Sequence, residues 1–168
     1  MTEQRGTAVR VRGAVKRYGP VHALAGIDLD VAAGRFVVLL GPSGSGKSTL
    51  VRALAGVERL DGGEIRMDGQ VVGDGRRNVA PDRRDLAMVF QDYALWPHLT
   101  VRGNVGYALR RRRLRGTEAA TRTREVLERV GLGALGDRYP LELSGGEQQR
   151  VALARALSLI HISEPTRR

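Results

Sequence analysis

Gly41-Pro-Ser-Gly-Ser-Gly-Lys-Ser48 has the spacing of a phosphate-binding loop: one glycine, four residues, then Gly-Lys-Ser. Such glycines let successive backbone N–H groups turn into one concavity. A helix starting at its end adds the positive end of its dipole where anionic oxygens would lie. Gly41, Pro42, Ser43, Gly44, Ser45 and Gly46 are therefore the expected cradle and Lys47 its point charge. Ser48 would offer a hydroxyl to Mg2+, and Thr49 a donor to a nearby phosphate oxygen. These residue types fit a nucleoside triphosphate with its metal; a plain Gly/Ser turn before a helix is the alternative. A second anion site is expected at Leu143-Ser-Gly-Gly-Glu-Gln-Gln-Arg150, where Ser144, Gly145 and Gly146 sit just ahead of a helix with no lysine of their own. There the alternative is an ordinary helix cap.

Elements must hold these residues in place. Phe36–Leu40 is an unbroken apolar run between Gly34 and Gly41, which predicts a strand buried on both faces of a parallel sheet. Lys47–Gly56 reads as a helix with Leu50, Val51, Leu54 and Ala55 on one face and Gly56 as its stop. Before the loop, Val9, Val11 and Val15, then Ile27, Leu29 and Val31 alternating with Asp28 and Asp30, predict half-buried antiparallel strands joined by a turn at Gly19-Pro20. Glu64–Val72 and Leu86–Phe90 read as two further strands, the second buried, with Asn78–Arg84 exposed between them. Helices are expected over Val101–Arg113, Glu118–Val130 and Glu147–Leu157. The middle one carries Glu118/Arg122 and Glu125/Arg129 pairs. No internal repeat is present. The fold class read from these patterns is α/β, with an N-terminal antiparallel β subdomain and a helical subdomain over about 93–146; strand, phosphate loop and helix in this order resemble the P-loop NTPase type, which implies a mixed or parallel sheet core, incomplete in this sequence.

Composition narrows the class. With 168 residues, 42% of them apolar, the chain suits one compact domain. Its 22 glycines are clustered, which excludes collagen-like and glycine-rich disordered readings. A net charge of +10 suits an anionic partner, and the absence of cysteine excludes disulfides and thiolate metal sites. No apolar run approaches the roughly 18 residues that cross a bilayer. The run Arg110–Arg113 with Arg115 reads as a solvated helix end, because no base-stacking aromatics interleave it, and nucleic acid is not expected. His22 and His98 are isolated, which suits structural or surface roles.

The two motifs in this order resemble those of the ATP-binding subunits of ATP-binding cassette transporters, over Val9 to about Ala156. The resemblance implies that Tyr18 stacks on adenine and that Gln91, at the end of the Leu86–Phe90 run, touches Mg2+ or the attacking water beside Lys47. Asp92 is set aside as a base, since the family uses this loop for coupling. It further implies that Ser144, Gly145, Gly146 and Glu147 cap nucleotide held by a second, head-to-tail subunit. Phe90–Thr100 looks most like the importer branch for ferric iron, polyamines or sugars, with Tyr93, Leu95, Trp96 and Pro97 in a socket for a membrane permease; Trp96 as plain core is the alternative. The implied function is ATP binding and hydrolysis that powers solute transport, on the cytoplasmic face of the membrane. A soluble cassette ATPase of translation or DNA repair, or a non-catalytic ATP-binding piece, are the rival readings.

In the family an Asp-Glu pair follows the helix that starts at Ser144-Gly145-Gly146, with a histidine later still, and neither has a counterpart here. In Ile162-Ser-Glu-Pro165 a serine replaces the aspartate, so Glu164 imitates that strand end without matching it, and His161 precedes it. Residues 157–168 are read instead as a non-native tail, since Leu157–Arg167 is what a transposase-based library adaptor would encode. Resequencing the source locus is expected to depart from this tail at codon 157; independent genomic reads running through codon 157 into the same tail would refute it.

Overall fold

The computed structural model describes residues 7–84, 86–111 and 114–160, in two compact units, Met1–Leu86 and Ala87–Arg168. The expected helix end at Arg113, and His161, Ser163 and Glu164, lie outside the described residues.

The first unit is built on a four-stranded antiparallel sheet of β1 (Val9–Tyr18), β2 (Val21–Val31), β3 (Gly62–Met67) and β4 (Gln70–Asp74), in the order β2-β1-β3-β4. The β1–β2 hairpin turns at Gly19-Pro20 as expected, with Tyr18 opposite Val21 and Val9 opposite Val31. A bulge between Val11 and Ala14 changes the parity, so Ala14 is fully buried where alternation had pointed to Val15. The N–H freed at Gly13 donates to the Asp28 carboxylate at 2.6 Å. Glu64–Val72 is not one strand but a hairpin. Asp68 and Gly69 take φ of 47° and 79°, the two left-handed positions of a tight two-residue turn, and the Asp-Gly pair was its signal.

Helix α1 (Lys47–Leu54) lays Leu50 and Ala53 on this sheet, in a core with Val11, Leu24, Leu60 and Ile65. Burying Leu50 contributes about 2 kcal/mol. Val51, expected on that face, is exposed, and Ala53 takes its place. Gly56, at φ 78°, ends the helix: its N–H donates to the Ala53 carbonyl at 3.1 Å, and that of Val57 to Arg52 at 3.0 Å, the paired bonds of a Schellman stop.

Two expected strands do not form. Phe36–Leu40 and Leu86–Phe90 have no ladder partner among the described residues, and Phe36 and Leu40 are 91% and 88% exposed. A doubly buried parallel strand requires a neighbour to hydrogen-bond with and a layer on each face, and neither is supplied within the described chain. The exposed reading of Asn78–Arg84 also fails at its end: Arg84 is only 2% exposed. Its guanidinium donates to the carbonyls of Ala53 (2.7 Å), Leu54 (2.6 Å), Val72 (2.9 Å) and Val79 (3.0 Å), and to Asn78 Oδ1 (2.7 Å). Carbonyls at the end of α1 draw this side chain inward, where a propensity argument sees only a charged loop residue.

The second unit packs α2 (Val101–Arg111), α3 (Gly116–Arg129) and α4 (Gly145–Ile160) around Val101, Val105, Val126, Leu127, Leu132 and Val151. On α3 the ion pair that forms is Arg122–Glu125 at 3.3 Å, three residues apart, in place of the expected four-residue pairs.

Gly56→Ala should destabilise the first unit by about 1–3 kcal/mol, because a Cβ there would lie 2.6 Å from Arg84 Nε and 2.7 Å from the Val79 carbonyl oxygen. Urea unfolding of the two proteins side by side measures it.

Candidate functional site

The loop Gly41–Gly46 enters α1 without a capping side chain. Its last residue, Gly46, is the helix N-cap at φ 85°, and the first α1 N–H to find a helical acceptor is that of Leu50, which donates to the Gly46 carbonyl at 2.8 Å. The N–H groups of the first turn, from Lys47, Ser48 and Thr49, therefore open at the helix start, which is the geometry that attracts an anion. Only glycine fits position 46: a Cβ there would stand 2.2 Å from the Ala23 carbonyl oxygen on β2. Gly44, also left-handed at φ 82°, faces open space. Lys47 curls back over the loop, its ammonium donating to the carbonyls of Gly41 (2.8 Å) and Pro42 (2.7 Å) and to Ser45 Oγ (3.1 Å). These are neutral acceptors. An incoming phosphate offers the ammonium stronger, charged ones. Ser48 is exposed at the helix start with its hydroxyl available.

Tyr18 ends β1 and is 47% exposed. Lys16 stands over one face of its ring, 5.3 Å from the centroid, and ion-pairs with Glu58 at 2.7 Å. Partial burial and the neighbouring Glu58 carboxylate raise the phenol above its ordinary pKa, while the Thr49 hydroxyl pulls it the other way. The hydrogen bond to Lys16 holds Glu58 below the usual carboxylate range, and the same bond raises Lys16. The structure thus groups Tyr18 with Thr49 at the start of α1. Glu58 and Lys16, which orient the ring, were missed by the sequence reading, since neither lies in a motif.

In the second unit Ser144 is the N-cap of α4. Its N–H and Oγ–H donate to Glu147 Oε2 at 2.7 and 2.8 Å, and its Oγ accepts from the Glu147 N–H at 3.4 Å, a reciprocal capping box. These bonds from Ser144 hold the Glu147 carboxyl below its ordinary pKa. Gly145 and Gly146 were expected ahead of the helix and instead form its first turn. Neither has a positive φ, and a Cβ on either would meet nothing within 4 Å.

Gln91 and Asp92 are exposed at the start of a turn through Tyr93 (φ 59°) and Ala94 (φ 44°). Leu95 packs against the second core, and Pro97 is exposed. Trp96 is half-buried, with its ring 4.5 Å from that of Tyr107. Both Trp96 backbone groups bond to the fully buried Asn104, N–H to Oδ1 at 2.9 Å and C=O from Nδ2 at 3.1 Å. His22 and His98 are exposed.

Comparison with known proteins places this geometry among relatives. The ABC transporter family profile matches residues 24–160. The glutamate transport ATP-binding protein GluA of Corynebacterium glutamicum is 45% identical over 90% of this chain and 63% of its own length. The sn-glycerol-3-phosphate import ATP-binding protein UgpC 3 of Rhizobium etli is 49% identical over 84% of this chain and 40% of its own. The spermidine/putrescine import ATP-binding protein PotA of Chromobacterium violaceum is 45% identical over 94% and 44%. The chain therefore spans under two thirds of each of these relatives. The solved structure of an ATP-binding cassette dimer in a post-hydrolysis state, bound to ADP and Pi, superposes with a TM-score of 0.79 at 32% identity, over 90% of this chain and 69% of that one.

Because the folded-state pKa of Glu147 is depressed, its share of the capping box is present above the ordinary glutamate pKa and fades as pH falls through the lowered value. Ser144→Ala should move the Glu147 titration upward, toward an ordinary glutamate, as read by carboxyl NMR.

Proposed function

Because the chain belongs to the ABC transporter family, we propose that the complete protein is the ATP-binding and ATP-hydrolysing subunit of a solute importer, working on a membrane permease. The 168 residues contain the parts that grip nucleotide. Gly41–Gly46 and the α1 N–H groups receive the triphosphate, Lys47 exchanges its loop carbonyls for phosphate oxygens, and Tyr18 offers the ring face away from Lys16 to the base. Ser48 would offer its hydroxyl to Mg2+, which would supply charge neutralisation for the phosphates when bound. That side chain is neutral, so the phosphates would be its charged ligands.

One observation carries the two-subunit part of this reading. In the first turn of α4, Gly145 and Gly146 need neither their backbone freedom nor the space a Cβ would take. Alanine at those positions would favour the helix by up to about 1 kcal/mol each. Among the described residues nothing approaches them closely enough to need their bareness, which supports close approach by something outside the chain. The Ser144-Gly145-Gly146 run has no lysine of its own and suits an anion gripped elsewhere, by the lysine of a second copy. Ser144 would then trade the half-buried Glu147 carboxylate for phosphate oxygens.

Tyr93, Leu95, Trp96 and Pro97 are the proposed permease contact, supported by the names of the import relatives and by the accessible Pro97 and half-buried Trp96. Through the permease the subunit would sit on the cytoplasmic face of the membrane. Hydrolysis is assigned to the complete protein, since residues 145–168 carry no Asp-Glu pair. Calorimetric titration of MgATP should give binding that Lys47→Ala weakens by about 10- to 100-fold. The complete protein should co-purify with an integral membrane protein. No heat from wild type would reject the nucleotide reading, and isolation as a soluble ribosome- or DNA-associated ATPase would reject the importer.

A further inference from the structure

Helix α4 carries one charged side chain in its apolar middle, Val151-Ala-Leu-Ala-Arg-Ala-Leu157. Arg155 is half-buried there. Through Nη1 it donates to the Ala94 carbonyl at 2.6 Å and through Nη2 to the Tyr93 carbonyl at 2.8 Å. Its Cζ lies over the ring of Trp96, 4.9 Å from the centroid. No carboxylate pairs with it among the described residues, and burial alone lowers its pKa. A guanidinium placed this way contributes geometry: two N–H groups in one plane, aimed at two adjacent carbonyls, with a flat face for an indole.

Those carbonyls belong to the strained part of the turn. Tyr93 and Ala94 are consecutive non-glycine residues at positive φ, a conformation that persists where the surroundings over-determine it. On the C-terminal side the chain is pinned by Asn104 of α2, which holds the Trp96 backbone. At Tyr93 and Ala94 the side-chain support comes from Arg155. The same helix begins at the Ser144 cap, eleven residues earlier, about 16 Å along its axis.

We propose that Arg155 is a positioning residue that makes the Tyr93–Trp96 turn travel with α4, so that a displacement at the Ser144 end of the helix reaches the turn. Its mechanical content stands on the contacts above; its meaning, that nucleotide capping is passed to a permease, rests on the function proposed above. Arginine is required for its shape. A lysine keeps the charge but cannot present two coplanar donors while lying flat on Trp96.

Hydrogen–deuterium exchange of the chain tests this, with Arg155→Ala and Arg155→Lys read at residues 92–97 and, in the same samples, at core amides of α2, α3 and α4. Exchange at 92–97 should rise about tenfold in Arg155→Ala and less in Arg155→Lys, with the core within about threefold of wild type. Emission from Trp96, the only tryptophan, should shift in step. Unchanged exchange at 92–97 in Arg155→Ala overturns the proposal. So does uniform loss of protection across turn and core in both variants, the mark of a side chain that merely stabilises α4. In the complete protein with its permease, Arg155→Ala should keep MgATP affinity within about threefold while permease-stimulated turnover falls about tenfold. Equal stimulation in variant and wild type overturns the coupling role. A wild type that binds no MgATP sinks the functional reading instead, and leaves the exchange result to judge the turn.

Discussion

A helix start can grip an anion only if the rest of the helix is held still, and here the buried guanidinium of Arg84 does the holding. Four carbonyls and one amide oxygen converge on it, two of the carbonyls from the last turn of α1. A positive charge at the negative end of the helix complements the dipole whose other end opens at Lys47. Neighbours conform to it: a Cβ at Gly56 would strike Arg84 Nε, and Asn78 both accepts from the guanidinium and donates to the Gly56 carbonyl. The Gly41–Gly46 loop is thus joined to one end of a helix whose other end is fixed to β4 and the loop after it.

Arg155 repeats the arrangement in the second unit. Again a half- or fully buried arginine serves backbone carbonyls, with no carboxylate paired to it among the described residues, and again burial lowers its pKa. An ion pair would satisfy the charge more cheaply, but a carboxylate would pull the cation toward a side chain. Carbonyl acceptors tie it to the path of the main chain, which is what a turn or a helix end requires. Asn104 does the neutral version of this work, using both ends of its amide to fix the backbone of Trp96 and the carbonyls of Leu99 and Thr100.

Legibility followed the range of each interaction. The glycine-rich turn into α1, α1 with its glycine stop, the β1–β2 hairpin and the helices are readable because their determinants lie within a few residues: caps, positive-φ glycines and apolar periodicity. The Asp68-Gly69 turn is equally local, but the apolar positions Ile65, Met67, Val71 and Val72 on either side of it read as a single strand. The bulge at Val11–Ala14 was less accessible, since it answers to Gly63 on the neighbouring strand, where a Cβ would stand 2.3 Å from the Gly13 carbonyl oxygen. Phe36–Leu40 shows the opposite error. Its apolarity was read correctly, yet composition cannot supply the strands that must flank it.

What the amino-acid order determined by itself was chemistry of short range: a loop able to curl amides around phosphate, a lysine beside it, and a serine two glycines ahead of a glutamate. The resemblance to the ABC transporter family rests on the same motifs. Tertiary structure alone decided which charges turn inward and what they hold, placing Arg84 on the end of α1, Arg155 on a strained turn about sixty residues earlier in the chain, and Glu58 beside Tyr18. The reason is physical. A buried cation is tolerable only where acceptors from distant segments meet, and that meeting exists only once the chain has folded.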